Sequence, residues 1–278
     1  MPELAEVEFY RKQWDVGLTQ KIVRVGVHDA KRIFRGGRAA DLKKNLPGAT
    51  LLASQTHGKR LLFRFSGEQW LGLHLGMSGK LRSAAADLRP GKHDHLVLFQ
   101  ARRTLIFSDP RLFGRVRYHQ GKKKPEWWDN LSPSILSSKF TLARMRQRFH
   151  ERQVPVKAIL LDQSAFPGVG NWMADEILWR AKIFPGVRAG DLSPSQLSRL
   201  FRSARWVCAE ALKIIGERFA DPPASWLFGQ RWKRAGNCPR DKMPLRKATI
   251  AGRTTAWCPR CQPSPQPSEH RRRDAKKN

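Results

Sequence analysis

The sequence is short of cysteine, of acidic side chains and of long apolar runs. Its four cysteines, three of them between residues 238 and 261, are too few and too clustered for a disulfide framework. No stretch approaches the roughly 18 consecutive apolar residues of a membrane span. The start of the chain has no apolar signal core and carries Glu3, Glu6 and Glu8 where a secretory signal would be basic. These absences predict a cytoplasmic protein.

Hydrophobic residues make up 40% of the 278, enough for ordinary cores, so the chain is not a disordered polymer with a motif attached. Against 23 Asp and Glu stand 53 Lys and Arg, a formal net charge of +30. Such an excess attracts polyanions, and phosphate neutralisation with counterion release is its commonest purpose. A solvated basic surface or a ribosome-associated protein shares this composition, so charge favours nucleic acid without naming any chemistry. The cations are spread along the chain, among them Arg102, Arg103, Arg111, Arg115, Arg117 and Lys122 to Lys124. The terminal run Arg271 to Arg273, with Lys276 and Lys277, is a small share. A folded basic face is expected rather than a neutral domain with a basic tail.

Residues 3–16 set Leu4, Val7, Phe9 and Trp14 among charges before Gly17, the pattern of a short amphipathic helix. From about 21 to 118 short strand-like runs follow: Leu61–Phe65, Trp70–Leu75, Leu96–Phe99, Thr104–Phe107 and Arg115–Tyr118. Leu71, Leu73 and Leu75 alternate as in a half-buried antiparallel strand. An α+β chain results, one helix and then an antiparallel β-sandwich or flattened barrel over 1–120. Lys122 to Pro125 mark a linker, placed at 121–140. Helical periodicity then covers Leu142–Phe149, Val156–Leu161, Asn171–Ala181 and Ser195 to about Ile215, with Ser193 as a cap, giving a helical domain over 141–232. A cysteine-bearing module occupies 233–262, and 263–278 reads as a disordered basic tail. No internal repeat is visible.

Pro2 follows the initiator Met1, whose removal exposes a secondary amine. An α-amino group titrates well below a lysine, and a helix N-terminus further disfavours its protonated form. Unprotonated, it attacks an aldehydic sugar carbon to give an iminium. Glu3 is adjacent and Glu6 lies one turn on, placed for proton transfer. Taken alone, proline and acidic residues in a first turn are also ordinary capping.

Further motifs shift that balance. Met1-Pro2-Glu3-Leu4-Ala5-Glu6-Val7-Glu8, His57-Gly58-Lys59-Arg60, His74-Leu75-Gly76-Met77-Ser78-Gly79 and His93-Asp94-His95 appear in turn. Asp109-Pro110-Arg111-Leu112-Phe113-Gly114 and Pro167-Gly168-Val169-Gly170-Asn171 follow, then the cysteine module. In this order, over residues 1 to about 262, they resemble the formamidopyrimidine-DNA glycosylase and endonuclease VIII family. The resemblance implies Pro2 as nucleophile, Glu3 as acid/base partner and a strand-borne Lys59 that assists elimination and holds a phosphate. It implies that Met77, Arg111 and Phe113 fill the gap left by an extruded base. Extrusion costs a few kcal/mol, an apolar wedge stabilises the kink, and a guanidinium satisfies the widowed base. Flanking glycine and proline place Met77 and Phe113 on loops, not in a core. His93, Asn171 of the helix–two-turn–helix and Arg253 at the tip of the finger are implied DNA contacts.

Cys258-Pro259-Arg260-Cys261 is a close metal-ligand pair. The family's zinc finger places a second such pair upstream, where this chain has Cys238-Pro239-Arg240-Asp241. Carboxylate oxygen is an acceptable ligand, so one structural zinc on Cys238, Asp241, Cys258 and Cys261 is expected in a finger-like β-hairpin. The alternative is a weakened or absent metal, the hairpin surviving by packing. Ala5 and Leu112 depart from the family's proline and second basic residue, and the Gly216 to Trp226 segment is short for a lesion-capping loop. The resemblance therefore implies a monomeric, nucleoid-associated bifunctional DNA glycosylase and abasic-site lyase of base excision repair. Its partner is double-stranded DNA with a damaged base or abasic site, oxidised or ring-opened purines (formamidopyrimidine, 8-oxoguanine) being favoured. Endonuclease VIII-like action on oxidised pyrimidines, or noncatalytic binding of damaged DNA, are the rivals.

Overall fold

A reciprocal capping box starts the first helix, α1 (Leu4–Lys12): the Glu3 carboxylate accepts from the third helical N–H, and Glu6 Oε2 accepts from Glu3 N at 3.1 Å. In this computed structural model residues 1–28, 32–34 and 39–265 are described. The helix expected over 3–16 stops at Lys12, and a 3-10 turn covers Asp15–Gly17. Between them, Trp14 is fully buried and donates its Nε1–H to the Ile106 carbonyl at 3.3 Å.

The strands are β1 (Ile22–Val27), β2 (Leu51–His57), β3 (Arg60–Phe65), β4 (Gln69–His74), β5 (Lys80–Ala85), β6 (Asp94–Gln100), β7 (Arg103–Ser108) and β8 (Arg115–Gln120). They form two antiparallel sheets, β1-β6-β7-β5 and β2-β3-β4-β8, the sandwich expected from the alternation. Leu61, Phe63, Leu71 and Leu73 of one sheet share a core with Leu96, Leu98, Leu105 and Phe107 of the other. Val7, Tyr10 and Trp14 join them from the N-terminal segment. Each such large side chain contributes about 1.5–3 kcal/mol by leaving water. A second helix, α2 (Ala39–Asn45), interrupts the strand-like region, with Leu42 buried.

The half-buried reading of Leu71, Leu73 and Leu75 needs correction, because β4 is covered on both faces. Trp70 and Leu62 on the outer face pack against Trp127 and Trp128 of α3 (Glu126–Asp129). A Cβ at Gly72 would stand 2.1 Å from the Trp127 ring, so that lid requires glycine beneath it. The stretch 121–140 thus contains a helical turn packed on the sheet.

Helices α4 (Leu142–Phe149), α5 (Val156–Leu161) and α6 (Asn171–Ala181) have the bounds their periodicity predicts. The long helix α7 (Pro194–Arg218) begins at the proline itself. Ser193 Oγ accepts from Gln196 N at 3.2 Å, and Gln196 Oε1 accepts from Ser193 N at 2.8 Å. After α8 (Phe228–Arg231), β9 (Arg246–Ile250) and β10 (Arg253–Trp257) pair as an antiparallel hairpin.

Two units emerge: Met1–Ser134 with Ala211–Ala220, and Ile135–Glu210 with Asp221 onwards. Inside the second, buried Asp175 accepts from Lys157 Nζ at 2.6 Å and Arg231 at 2.7 Å. Lys157 also donates to Thr255 Oγ1 at 2.6 Å, and Ala256 N donates to Asp175 at 3.2 Å. This network fastens the hairpin to the helices. From residue 266 the expected tail lies outside the described residues. Among these, no helix is long and apolar enough to cross a membrane.

Candidate functional site

Pro2 directly precedes the capping residue of α1 and lines a cavity of about 220 Å³ with Glu6, Met77, Ser78 and Phe219. Glu3 is buried, its carboxylate engaged in the capping box. The residue implied as nucleophile and the first implied wedge therefore face one space, in the same unit.

Met77 and Phe113 are exposed on separate loops, and the Arg111 guanidinium lies 5.1 Å from the Phe113 ring centre. Asp109, fully buried, holds these loops together. Its Oδ1 accepts from Ser78 Oγ at 2.7 Å and from Arg111 N at 3.3 Å, and its Oδ2 accepts from Gly114 N at 2.7 Å. Asp109 N donates to the His93 carbonyl at 3.0 Å, and His95 Nε2–H donates to the Asp109 carbonyl at 3.0 Å. The loops also meet closely, since a Cβ at Gly76 (φ 64°) would stand 2.5 Å from the Phe113 backbone. Leu112, where the family has a basic residue, packs against the sandwich core. Asp109 received no role from the sequence, although it opens the Asp-Pro-Arg motif.

Lys59 is not on a strand. His57 pairs with Arg60, which leaves Gly58 and Lys59 as the two-residue turn between β2 and β3. Gly58 has φ 59°, the conformation that the first turn position demands in a II′-type hairpin. Lys59 is largely buried and lies close enough to His74 to act on it electrostatically. Burial, then Lys59, Arg60 and Arg115, push the His74 imidazole down to about 4. His74 Nδ1 accepts from Gly76 N at 3.0 Å, which fixes the neutral tautomer with its proton on Nε2. The register places Arg60, His74 and Arg115 side by side. With Arg117, Phe113 and Trp127 they line a basic cavity of about 310 Å³. Burial and the neighbouring Arg115 lower both Arg60 and Arg117.

In the second unit Asn171 is the first residue of α6, and its Nδ2 donates to the Thr254 carbonyl at 2.9 Å. Arg253, one residue earlier, leaves the hairpin turn Ala251-Gly252, both at positive φ. Asn171 and Arg253 are thus brought together.

Cys238, Asp241, Cys258 and Cys261 each offer a ligand atom, all within 4.8 Å of one another, which is consistent with a zinc site. A tetrahedral zinc with Zn–S near 2.3 Å sets sulfurs about 3.8 Å apart and sulfur to carboxylate oxygen about 3.5 Å. Here Cys238 and Cys261 sulfurs are 3.8 Å apart. Asp241 oxygens lie 3.5 Å from Cys258 Sγ and 3.4 Å from Cys261 Sγ. The donor set fits. Burial, then Cys238, Asp241 and Cys258, push the Cys261 thiol up to about 12, and a coordinated divalent cation reverses that by binding the thiolate. Trp179 Nε1–H donates to Cys238 Sγ at 3.3 Å, an outer-sphere bond of the kind that orients such ligands.

The fold and both units match one class of DNA repair protein. Residues 1–116 match the formamidopyrimidine-DNA glycosylase N-terminal domain model, and residues 131–221 match the formamidopyrimidine-DNA glycosylase H2TH domain model. The chain is 35% identical to the formamidopyrimidine-DNA glycosylase of Halorhodospira halophila, over 94% of this chain and all of that one. The Lactococcus lactis enzyme bound to DNA containing an oxidised pyrimidine superposes with a TM-score of 0.86 at 30% identity, over 95% of this chain and all of that one. The same enzyme with DNA containing a formamidopyrimidine lesion gives 0.85 at 29%, over 94% and 100%. This chain belongs to the formamidopyrimidine-DNA glycosylase family.

Proposed function

We propose that the protein is a bifunctional base-excision glycosylase and abasic-site lyase that acts, as a monomer, on damaged double-stranded DNA. One observation carries the reading: Pro2 and Met77 line a single cavity at the head of α1. Loss of Met1 frees the Pro2 amine, which attacks the sugar C1′ while the damaged base departs with its bonding pair and a proton. Glu3, at the adjoining position, is the proton-transfer group. The amine then gives up its proton and its lone pair expels O4′, which Glu3 protonates, so the sugar ring opens to an iminium. That iminium acidifies the C2′ proton, so its removal expels the 3′ phosphate, and a second elimination expels the 5′ phosphate. A gap of one nucleotide flanked by phosphates remains, and hydrolysis of the iminium returns the amine.

Met77 and Phe113 occupy the stack that the base vacates, and Arg111 pairs with the widowed partner. Their joint support by Asp109 favours this role. Lys59, His93, Asn171 and Arg253 hold backbone phosphate, the α6 N-terminus adding its N–H groups. One zinc on Cys238, Asp241, Cys258 and Cys261 stiffens the hairpin that carries Arg253 and takes no part in bond making. Ring-opened and oxidised purines are the preferred lesions. The relative crystallised with an oxidised pyrimidine keeps that class as the second substrate reading.

The test is borohydride trapping on a duplex with one abasic site, with mass spectrometry of the mature chain. A covalent adduct that disappears in Pro2→Gly, on a chain starting at Pro2, is the expected result. Retained Met1 or no reducible adduct rejects the mechanism. Incision of duplexes carrying 8-oxoguanine, formamidopyrimidine or thymine glycol ranks the lesions.

A further inference from the structure

We propose that Phe219 is the stacking surface for the extruded base and selects planar lesions over non-planar ones; this rests on the reading above and adds its specificity-determining residue. Phe219 follows the last residue of α7, and its N–H donates to the Ile215 carbonyl at 2.9 Å. Its φ is 53°, the left-handed conformation in which helices commonly end on glycine. A bulky side chain is strained there, so its presence calls for something the ring does.

Phe219 is 49% exposed, which rules out a core anchor. It stacks on Phe9 at 4.4 Å between centroids and 30° between planes, and lies 5.7 Å from Tyr10. Two residues of α1 thus fix its plane at little further entropic cost. Its exposed part lines the cavity of Pro2 and Met77. Exposed aromatics are ordinary when scattered singly. A strained, pre-stacked one in the wall of the nucleophile's cavity is not.

An aromatic ring so held recognises another π-face, with little dependence on hydrogen-bond pattern. Purine and formamidopyrimidine bases present a planar ring and stack. Thymine glycol, saturated at two ring carbons, is puckered and stacks poorly. The cavity therefore discriminates by flatness.

The experiment compares single-turnover rates of wild type, Phe219→Gly and Phe219→Trp on three duplexes carrying formamidopyrimidine, thymine glycol or a preformed abasic site. Phe219→Gly should slow formamidopyrimidine excision roughly tenfold, the loss of one base–aromatic stack. It should slow thymine glycol excision less and abasic-site cleavage least, since no base occupies the cavity there. Phe219→Trp should keep formamidopyrimidine excision near wild type. Glycine suits a φ of 53°, so the variant should fold, and its unfolding midpoint checks this. Equal slowing on all three duplexes, or no slowing of formamidopyrimidine excision, overturns the proposal. A wild-type chain that neither cleaves nor traps abasic DNA overturns the parent reading as well, and is told apart because no variant is needed to see it.

Discussion

Ser78 donates its hydroxyl hydrogen to Asp109 Oδ1 at 2.7 Å, joining the loop of Met77 to the loop of Arg111 and Phe113. The same carboxylate accepts from Gly114 N, so one buried anion sets the spacing of both proposed wedges. Asp109→Ala leaves the Ser78 hydroxyl and the Gly114 N–H without that acceptor, at about 1–3 kcal/mol for each group that stays buried. The expected outcome is a lower unfolding midpoint, with formamidopyrimidine excision falling far more than abasic-site cleavage. Asp109→Asn retains an acceptor and should be milder. Equal losses on both substrates would show that the loops act independently of this carboxylate.

Arg60, Arg115 and Arg117 line the basic cavity beside His74 and Phe113 on the outer face of the second sheet. Three convergent guanidinium groups suit a backbone phosphate, whose neutralisation releases condensed counterions. Arg117→Gln should weaken binding to damaged and undamaged duplex alike. It should also lower the slope of log K against log salt by about 0.9 for one lost phosphate contact. Fluorescence anisotropy across a salt series measures both. An unchanged slope would remove this cavity from the DNA-binding surface.

Much of this arrangement was legible in the sequence, unevenly and for physical reasons. The bounds of α4, α5 and α6 follow from 3.6-residue periodicity, which needs no tertiary partner. Short strand-like runs located β3, β4, β6, β7 and β8, and alternation misjudged β4, because two tryptophans over 50 residues away cover its outer face. Lys59 was set on a strand by the resemblance alone; the two-residue turn that carries it emerges only when His57 pairs with Arg60. The metal donors were visible as a spacing with one substitution, and folding supplied their distances. Asp109 and the Lys157–Asp175–Arg231 cluster escaped because pairing between remote positions leaves no periodic trace in one chain.

His74 gives a pH prediction. Its imidazole falls from 6.5 to about 4, by burial and then by Lys59, Arg60 and Arg115. A depressed basic group binds its proton more readily in the unfolded chain. Its contribution to stability is therefore complete above about 6.5 and is lost as pH falls towards about 4, reaching about 3 kcal/mol. Denaturant unfolding of wild type and His74→Asn should diverge over that window, wild type losing stability faster on acidification. An imidazole resonance titrating near 6.5 by NMR would contradict the buried, neutral assignment.

The donor set at the hairpin leads to the last prediction. Three thiols and the Asp241 carboxylate offer ligand atoms all within 4.8 Å of one another, so the purified protein should carry about one zinc per chain. Asp241→Ala removes an inner ligand and should weaken zinc by more than the roughly 10- to 100-fold that an outer-sphere change costs. Asp241→Cys, which restores a fourth thiolate, should bind zinc at least as tightly as wild type. The hairpin is also fastened through Asp175 to Lys157 and Arg231, bonds that involve no metal ligand. Chelation should then lower the unfolding midpoint and weaken DNA binding while helical circular dichroism persists. Elemental analysis, a zinc-competition titration and circular dichroism read these outcomes together. A dialysed protein without zinc, whose DNA affinity is indifferent to chelator, would show that packing alone holds the hairpin.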